Sequence, residues 1–315
     1  MATNEVEVGV VGVGHLGRHH ARLYAALDGV RLVGVVDSDP ERARSVADEY
    51  GCEAWTDPEA LRGRVQAASV AVPTVHHRDV AEMLLRDGVD VLVEKPMAHT
   101  LEEADAINAA ARESGRLVMV GHTERFNPAM IAMARVVEAP RFFEIHRLAG
   151  FTARSTDINV ILDLMIHDLD LLLYLDGSEA ISVDALGVAA LTDKLDIANA
   201  RVRMASGCVA NLTASRISVE QVRRVRLFQG RTYLACDTVK RQVERYRLVM
   251  GAEGKPTIAR DELPIEDGEP LGIELAAFVN AVRTRSRPPV DGDQGRRVLE
   301  LALKIREAVD ASMRR

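Results

Sequence analysis

The stretch LDLMIHDLDLLLYL, residues 162–175, is almost entirely apolar yet carries Asp163, His167, Asp168 and Asp170. On a helix at about 100° per residue, Asp163, His167 and Asp170 fall within roughly 60° of arc. Such a helix is predicted to be buried, with its polar stripe facing a partner or a cavity, where a histidine and an aspartate one turn apart can act on one substrate hydroxyl. The alternative is a core histidine bonded to backbone, but three ionisable groups on one stripe favour a functional site. Asp168 lies off the stripe and is expected to be structural or solvent-facing.

Two further segments place reactive side chains where predicted strands end. The run AVPTVHH stops a buried strand at Pro73 and Thr74 and continues into His77. The run LVEKP closes another strand with Glu94 and Lys95. A lysine partly withdrawn from water at such a position can serve as an acid or a base. The alternative for Lys95 is a surface lysine that merely ends a strand.

The sequence GVGHLG is a G-x-G-x-x-G motif between a predicted strand and a predicted helix, and this context gives the match its weight. Gly12 permits the tight turn, Gly14 lets the backbone approach a pyrophosphate, and Gly17 lets the helix pack against its strand. The amides at the helix start, at His15 and Leu16, are expected to receive the phosphates.

The second predicted strand ends at Asp37, where a carboxylate binds the adenosine ribose diol. Because this carboxylate repels a 2′-phosphate, the predicted cofactor is NAD and NADP is disfavoured, although Ser38 beside it can relax the choice. Ligands in open α/β sheets bind at the carboxyl ends of the strands. One crevice is therefore expected to be lined by Gly14, Asp37, Thr74, Lys95 and His122.

Strands and helices alternate over about the first 120 residues. Strands are predicted at 6–13, 30–37, 65–74, 90–96 and 116–122, and helices at 15–27, 39–50, 77–88 and 100–115. The last helix opens with Thr100 as N-cap and Glu103 three residues later, a capping box. This alternation predicts an α/β domain over residues 1–122, with a parallel, doubly wound sheet.

The pattern changes after about residue 125. The predicted elements are then a helix near 127–137, a strand at 141–150, long strands between 181 and 249, and closing helices at 270–285 and 293–314. In DIANARVRM, apolar and polar residues alternate, as an antiparallel sheet with one covered face requires. We therefore predict an α+β domain over residues 123–315, with one large, mostly antiparallel open sheet and closing helices that can pack back on the first domain.

Composition limits the class of protein. The chain has 315 residues, a net charge of −7 and 47% hydrophobic residues, values typical of a soluble two-domain protein without the basic stripe of nucleic-acid-binding proteins. The apolar runs are too short to span a bilayer, and the first residues lack the features of a secretion signal. The cysteines are few and scattered, which argues against a disulfide framework and a zinc site. A cytoplasmic protein with no metal, nucleic-acid or membrane partner is expected.

The motifs GVGHLG, PTxxH, EKP, GHTERFNP and DLMIHDLD, in this order and spacing, resemble those of the Gfo/Idh/MocA oxidoreductase family, and the likeness extends to the end of the chain. The resemblance implies an N-terminal Rossmann domain and a C-terminal α/β domain whose open sheet commonly forms the oligomer interface. It also implies hydride exchange between a nicotinamide and a sugar or cyclitol carbon. A homodimer or homotetramer formed through the C-terminal sheet is therefore expected.

The resemblance implies roles for individual residues as well. Lys95 is the EKP lysine, expected near the reacting hydroxyl, while His167 matches the catalytic histidine and Asp163 the aspartate one turn earlier. Relatives often have glycine where this chain has Met165, which narrows the pocket beside the stripe. The expected cofactor-binding residues are Gly12, Gly14, His15, Leu16, Gly17, Asp37, Pro73, Thr74, His77, Glu94 and Lys95. The expected substrate-binding residues are Lys95, His122, Arg125, Asn127, Asp163 and His167.

The substrate expectation comes from a narrower likeness. The stretch GHTERFNP resembles members that oxidise C3 of UDP-N-acetylglucosamine or its uronic acid, and LDLMIHDLD is similar to oxidoreductases that make a 3-amino sugar for lipid A. In that reaction sequence a 3-keto nucleotide sugar passes to an aminotransferase. Arg125 and Asn127 are placed to meet the diphosphate or the hydroxyls, and the alternative for Arg125 is a salt-bridged loop arginine.

Three other functions stay open from the sequence. The chain could be a dehydrogenase of a free sugar or inositol, which includes reduction of a 3-keto sugar. It could be an NAD-dependent glycosidase with a transient 3-keto intermediate, which accumulates no net NADH. It could also be a non-catalytic, cofactor-bound regulator, because a scaffold alone never proves activity. The sequence does not decide whether Lys95 or His167 is the base.

Overall fold

The computed structural model describes residues 5–151, 158–251 and 255–313. The chain divides into two compact units. The first holds the residues up to Thr123 together with Leu271–Leu299, and the second holds Glu124–Pro270 together with the residues from Glu300 onward. The domain boundary expected between residues 122 and 123 stays a prediction.

The first unit contains a parallel sheet. Its strands are β1 (Val6–Val11), β2 (Val30–Val36), β3 (Glu53–Trp55), β4 (Ala67–Val70), β5 (Asp90–Glu94) and β6 (Val118–Gly121), in the order β3-β2-β1-β4-β5-β6. The helices are α1 (His15–Ala26), α2 (Pro40–Tyr50), α3 (His77–Arg86) and α4 (Leu101–Ser114). Strands β4 and β5 are buried along their length, and β1 is buried except at the half-buried Glu7, because valine, alanine and leucine dominate these strands. The prediction of a doubly wound α/β sheet is confirmed.

Side-chain caps fix where two helices of this unit, α4 and α2, begin. Thr100 accepts a hydrogen bond from the backbone N of Glu103 at 3.2 Å. The Glu103 carboxylate accepts one from the backbone N of His99 at 2.9 Å, one residue before the cap, so the capping pair forms with a small shift. At α2, Asp39 accepts from the backbone N of Glu41 at 3.0 Å. These caps satisfy amides that a helix leaves without partners.

The second unit contains a larger sheet. After α5 (Pro128–Ala134) come β7 (Phe142–Leu148), a π-helical turn (Ile161–Met165), α6 (Ile166–Asp176), β8 (Ala180–Val188), β9 (Ile197–Met204), β10 (Val209–Ser215), β11 (Val222–Gln229), β12 (Thr232–Asp237), β13 (Gln242–Met250) and β14 (Pro256–Glu262). The eight strands follow the order β14-β13-β12-β11-β7-β10-β9-β8. Every neighbouring pair is antiparallel except β7 with β10. The predicted large, mostly antiparallel sheet is confirmed.

One face of the second sheet is covered and the other is open. In β9, Ala198, Ala200, Val202 and Met204 are buried, while Asn199, Arg201 and Arg203 are exposed. The alternation expected for this strand is therefore confirmed. Two strands are absent from the sequence predictions: β3, which has only three residues, and the edge strand β14, which is polar and largely exposed.

The chain returns to the first unit after β14. Helix α7 (Pro270–Thr284) is followed by α8 (Gly292–Met313). The Thr123 hydroxyl donates to the buried Glu274 carboxylate at 2.8 Å, and the backbone N of Val120 donates to the Val290 carbonyl at 2.9 Å. Residues 271–299 thus complete the packing around β6. No helix among the described residues is long and apolar enough to cross a membrane.

Candidate cofactor and catalytic sites

The turn between β1 and α1 leaves room for a ligand at one of its three glycines. Gly12 has a φ of +84°, and a Cβ added there would lie 2.8 Å from the backbone of Ala71. A Cβ on Gly17 would lie 1.7 Å from the Gly12 carbonyl oxygen. Apart from Gly14 and its chain neighbours, no atom lies within 4 Å of the position that a Cβ on Gly14 would take. The turn therefore has open space where the sequence predicts a pyrophosphate.

The start of α1 is suited to an anion. His15 and Leu16 are exposed there. The N-cap is Gly14, no side chain caps the helix, and its first turn has no acidic residue. Uncapped amides at a helix start attract negative charge, so the cofactor phosphates predicted for this position fit it.

Asp37, directly after β2, holds a fixed and largely buried carboxylate. Its Oδ2 accepts a hydrogen bond from the backbone N of Val13 at 2.9 Å, and its Oδ1 accepts from the backbone N of Asp39 at 3.0 Å. Arg42 Nη1 donates to Oδ1 at 3.1 Å. The Asp37 backbone N donates to the carbonyl of Trp55 at 3.1 Å. Trp55, the one tryptophan of the chain, is thus bonded through its backbone to the residue predicted to bind the ribose, and its indole packs over Gly34 of β2, where it can serve as a fluorescent reporter.

Substitutions at Gly14 and Gly17 should separate an effect on cofactor binding from an effect on folding. Replacing Gly14 by alanine is expected to change the free energy of unfolding by about 0.5 kcal/mol or less, because its Cβ meets open space. The same Cβ occupies the predicted pyrophosphate position, so NAD affinity should fall about tenfold or more. Gly17→Ala should instead destabilise the fold, because its Cβ overlaps the Gly12 carbonyl. Thermal unfolding and NAD titration of both variants check this; normal NAD affinity in a folded Gly14→Ala protein would count against the site.

His77 joins the ends of two neighbouring strands. Its ring is buried, with Nδ1 3.0 Å from the Pro96 carbonyl oxygen and Nε2 2.9 Å from the Val72 carbonyl oxygen. Burial lowers the pKa of His77, while the two carbonyls act in the opposite direction. Because both ring nitrogens face backbone oxygens, His77 holds the segments after β4 and β5 together. The contact of His77 with the cofactor stays a prediction.

Glu94 and Lys95 lie at the carboxyl end of β5. Glu94 is buried, its Oε1 lies 3.0 Å from Nε2 of His20, and its Oε2 accepts from the backbone N of Lys95 at 3.2 Å. Burial alone would raise the pKa of Glu94, but the hydrogen bond and charge of His20 lower it. Lys95 is half-buried, which disfavours the alternative of a plain surface lysine.

His20 is a site residue that the sequence predictions missed. It lies on the buried stripe of α1 with Gly17, Ala21 and Tyr24. A histidine at an apolar helix position, three residues after the last motif glycine, was the available signal. Its partner, Glu94, could not be found without the sheet order that sets β1 and β5 on either side of β4.

The first unit brings most of its predicted site residues to one sheet edge. Thr74 begins a 3-10 turn shortly after β4, preceded by Pro73, and the buried His122 directly follows β6. Because the six strands are parallel, their carboxyl ends share an edge. That edge carries the motif glycines, Asp37, Thr74, Lys95 and His122. It includes the point between β1 and β4 where strand order reverses.

In the second unit, the apolar stretch with four ionisable residues begins as a π-helical turn and continues as α6. Asp163 and His167 are half-buried, whereas Asp168 and Asp170 are buried. The predicted polar stripe assumed one α-helix with about 100° between successive residues. Asp163 lies in the π-helical turn, where successive residues are separated by a smaller angle, so this assumption is wrong at Asp163. Such turns are frequent at functional sites.

Asp170 is paired with Arg125 inside the second unit. Arg125 Nε donates to Oδ2 at 2.8 Å and Nη2 donates to Oδ1 at 2.6 Å, with both side chains buried. The guanidinium also lies 4.7 Å from the centre of the Tyr174 ring. Asn127 caps α5 through the backbone N of Ala129, at 3.0 Å. Arg125 therefore makes the salt bridge named as its alternative, and the substrate contacts of Arg125 and Asn127 stay predictions.

Asp168 is paired with Arg147, a residue that the sequence predictions missed. Arg147 donates to Asp168 from Nε at 3.0 Å and from Nη2 at 2.8 Å, and its Nη1 donates to Glu124 at 3.0 Å. Burial alone would lower the pKa of Arg147, but the two carboxylates raise it. The expectation that Asp168 could face solvent is wrong; it is a buried structural partner. The signal that the sequence predictions missed is that Arg147 alternates with the apolar residues Phe143 and Ile145, which places a charged side chain on the buried face of β7.

Two family models match the chain. Residues 6–122 match the Gfo/Idh/MocA oxidoreductase family, NAD-binding Rossmann fold, and residues 135–231 match the Gfo/Idh/MocA C-terminal domain. Over 98% of this chain and 99% of the other, the sequence is 42% identical to a UDP-N-acetylglucosamine 3-dehydrogenase from Acidithiobacillus ferrooxidans. A solved structure of that enzyme has a TM-score of 0.91, over 98% of each chain. The scyllo-inositol 2-dehydrogenase (NAD(+)) of Bacillus subtilis is 32% identical over 68% of each chain.

Proposed function

Because the chain belongs to the Gfo/Idh/MocA family of oxidoreductases, with its NAD-binding Rossmann domain, we propose that it oxidises the C3 hydroxyl of UDP-N-acetylglucosamine with NAD. The observation that supports this substrate is the 42% sequence identity, over 98% of the chain, with an enzyme of that activity. The product is a 3-keto nucleotide sugar. A ketone at that position is the substrate of an amino-transfer reaction, so the chain acts before an aminotransferase, in the cytoplasm, in the making of a 3-amino sugar for lipid A.

The residues of the first unit fit NAD. The open space at Gly14 and the uncapped start of α1 suit a pyrophosphate. The Asp37 carboxylate suits a ribose diol and disfavours a 2′-phosphate, so NAD is preferred to NADP. Glu94 ends β5, and Lys95 and Thr74 follow the neighbouring strands β5 and β4 at the same edge. When bound there, NAD supplies the hydride acceptor.

The remaining candidate residues are assigned to acid–base chemistry and to substrate binding. Lys95 or His167 takes the proton of the C3 hydroxyl as the carbon is oxidised. Asp163, on the turn before His167, orients the imidazole and accepts a hydrogen bond from a neighbouring hydroxyl. His122 is assigned to substrate binding. Within the described ranges, no group of three or more His, Cys, Asp or Glu side chains is arranged to hold a metal ion.

The experiment that tests the proposal is a substrate panel. The purified protein is incubated with NAD or NADP and with UDP-N-acetylglucosamine, UDP-N-acetylglucosaminuronic acid, free N-acetylglucosamine or scyllo-inositol. NADH is followed by absorbance, and the carbonyl position is located by oxime capture and mass spectrometry. Net NADH with a C3 ketone from UDP-N-acetylglucosamine alone supports the proposal.

Each other outcome points to a different function. Oxidation of scyllo-inositol in preference would favour the inositol dehydrogenases, of which one is 32% identical. Cleavage of a glycosidic bond without net NADH would favour the glycosidase alternative. Cofactor binding without turnover of any sugar would favour a regulator. Any of these results contradicts the proposed activity.

The open face of the second sheet is proposed as the contact between copies of the chain. Phe142, Phe228, Tyr233 and Tyr246 form a ladder across it, with ring centres 5.9, 4.7 and 5.1 Å apart. Eight strands about 4.8 Å apart and about 25 Å long give a face of roughly 1,000 Å², close to the 800 Å² per partner of a standard interface. The chain is therefore proposed to form a homodimer or homotetramer.

Charge placed on this ladder should separate the copies. The variant Phe228→Arg is expected to sediment as a monomer at micromolar concentrations where the unchanged chain sediments as a dimer or tetramer, because a guanidinium would be desolvated between two sheets. Sedimentation velocity of both proteins checks this. A monomeric unchanged chain, or a variant that stays assembled, would contradict the proposed interface.

A further inference from the structure

We propose that Arg125 and Arg147 are positioning residues, which hold α6, and with it Asp163 and His167, through two buried ion pairs. One pair is Arg125 with Asp170 and the other is Arg147 with Asp168. The inference rests on the proposed function, because it concerns how the reacting histidine is held. It also accounts for the four ionisable groups of the apolar stretch: two are assigned to chemistry, and two orient the helix that carries it.

The two ion pairs hold α6 from different sides. At about 100° per residue, Asp168 and Asp170 point in directions about 160° apart around the helix axis. His167 lies about 100° from Asp168 and about 60° from Asp170. A rotation of the helix that improved one ion pair would therefore strain the other. The pair of contacts fixes the rotation of α6, and this sets the direction of the imidazole.

Apolar packing alone would fix that rotation less well. Leu169, Leu171 and Leu172 are all buried, and apolar burial is non-directional. A guanidinium that donates two parallel hydrogen bonds to one carboxylate has a fixed geometry. Turning α6 would also leave Asp168 and Asp170 buried without partners, which is strongly unfavourable. The ion pairs therefore penalise every orientation but one.

Both ion pairs are anchored in one short segment. Glu124 and Arg125 are consecutive residues of the 3-10 turn Thr123–Phe126. Glu124 accepts a hydrogen bond from Arg147 at 3.0 Å and from Arg223 at 3.2 Å. Asn127 then caps α5 and fixes the end of the turn. The segment thus orients α6 directly through Arg125 and indirectly through Glu124 and Arg147.

The test uses Arg125→Met and Arg125→Lys in the full chain, with the sugar that the unchanged protein oxidises. A misplaced catalytic group lowers kcat, so Arg125→Met should lose about tenfold to a hundredfold in kcat while KM for the sugar changes by about threefold or less. Arg125→Lys keeps the charge but not the paired hydrogen bonds and should lose less. A large rise in KM with kcat preserved would mean that Arg125 binds substrate, and would overturn the proposal.

A double variant separates positioning from simple loss of a side chain. Arg125→Met leaves the Asp170 carboxylate buried and unpaired, whereas Arg125→Met with Asp170→Leu replaces the whole ion pair by apolar groups. The double variant should recover thermal stability and part of kcat relative to Arg125→Met, because the two positions act as one unit. Losses that simply add would contradict an action of Arg125 through Asp170.

Hydrogen exchange provides a readout that needs no substrate. Amides of residues 161–176 should exchange faster in Arg125→Met than in the unchanged chain. The matched control is Arg245→Met, whose guanidinium donates two hydrogen bonds to Asp261, at 2.8 and 2.5 Å, on the β13–β14 hairpin. Unchanged exchange in residues 161–176 of Arg125→Met, or an equal increase in Arg245→Met, would overturn the positioning role. The hydrogen-exchange test stays valid even if the substrate is not a UDP-sugar. The positioning role and the proposed function can therefore be disproved independently of each other.

Discussion

Replacing Lys95 by methionine is expected to lower kcat for sugar oxidation about a thousandfold or more, since general acid–base catalysis contributes about 10²- to 10⁴-fold and Lys95 is also proposed to contact the reacting hydroxyl. Methionine has a similar length and no proton to exchange. NAD affinity should fall far less than kcat, because most of the expected cofactor contacts come from the glycine turn and Asp37, although Lys95 is itself expected to touch the cofactor. The measurement is the steady-state rate together with energy transfer from Trp55 to bound NADH.

The control for this prediction is Lys194→Met, which removes an exposed lysine from the loop before β9. It should leave both kcat and NADH binding unchanged. Loss of NADH binding as large as the loss of kcat in Lys95→Met would show that the lysine acts mainly through the cofactor, and would contradict this prediction. A Lys95→Met enzyme that retains most of its kcat would remove the lysine from the mechanism.

Replacing His167 by glutamine is expected to lower kcat by about a hundredfold to ten-thousandfold, because glutamine can hydrogen-bond to a hydroxyl but cannot take its proton. Asp163→Asn should lower kcat less, since Asp163 is proposed to orient the imidazole, which itself stays in place in this variant. The rate of each variant is followed against pH with the sugar that the unchanged protein oxidises. The variant whose kcat/KM profile loses its ionisation identifies the base.

His146→Gln is the matched control for this second prediction, because His146 lies on β7 in the second unit and is partly exposed. It should retain the kcat of the unchanged chain. Equal and small losses in Lys95→Met and His167→Gln would remove both residues from proton transfer. The dehydrogenase proposal would then need another base.

The parallel sheet was predictable from the sequence because its signals are local. Short valine-rich runs, the glycine motif and the Thr100 cap each act within about ten residues, and the strands they predict are present. The predicted strands are too long at their carboxyl ends, as in 65–74 against the observed Ala67–Val70. The chain leaves the sheet there to form the loops of the candidate site. The apolar run continues into these loops, so the pattern does not indicate where the strand ends.

The partners of the buried charges were not predictable. Asp168 and Arg147 are separated by 21 residues, and Glu94 and His20 by 74. Which strand lies beside which decides these pairs, and β7 lies between β10 and β11 although neither neighbours it in the sequence. An inward-facing charge such as Arg147 signals that a partner exists without naming it. Asp168 was therefore open to misinterpretation, while the alternative role named for Arg125 proved to be a real contact.

The return of residues 271–299 to the first unit has a consequence for biosynthesis. A ribosome releases β1 to β6 long before α7 emerges, so Glu274 and Val290 arrive more than a hundred residues after their partners Thr123 and Val120. Until then the nascent first unit lacks the layer that buried residues of α7 such as Leu275 and Phe278 provide, and we expect the apolar surface beneath that layer to be exposed. We expect a fragment cut after residue 123 to stay in that incomplete condition and to be less stable than the first unit of the full chain.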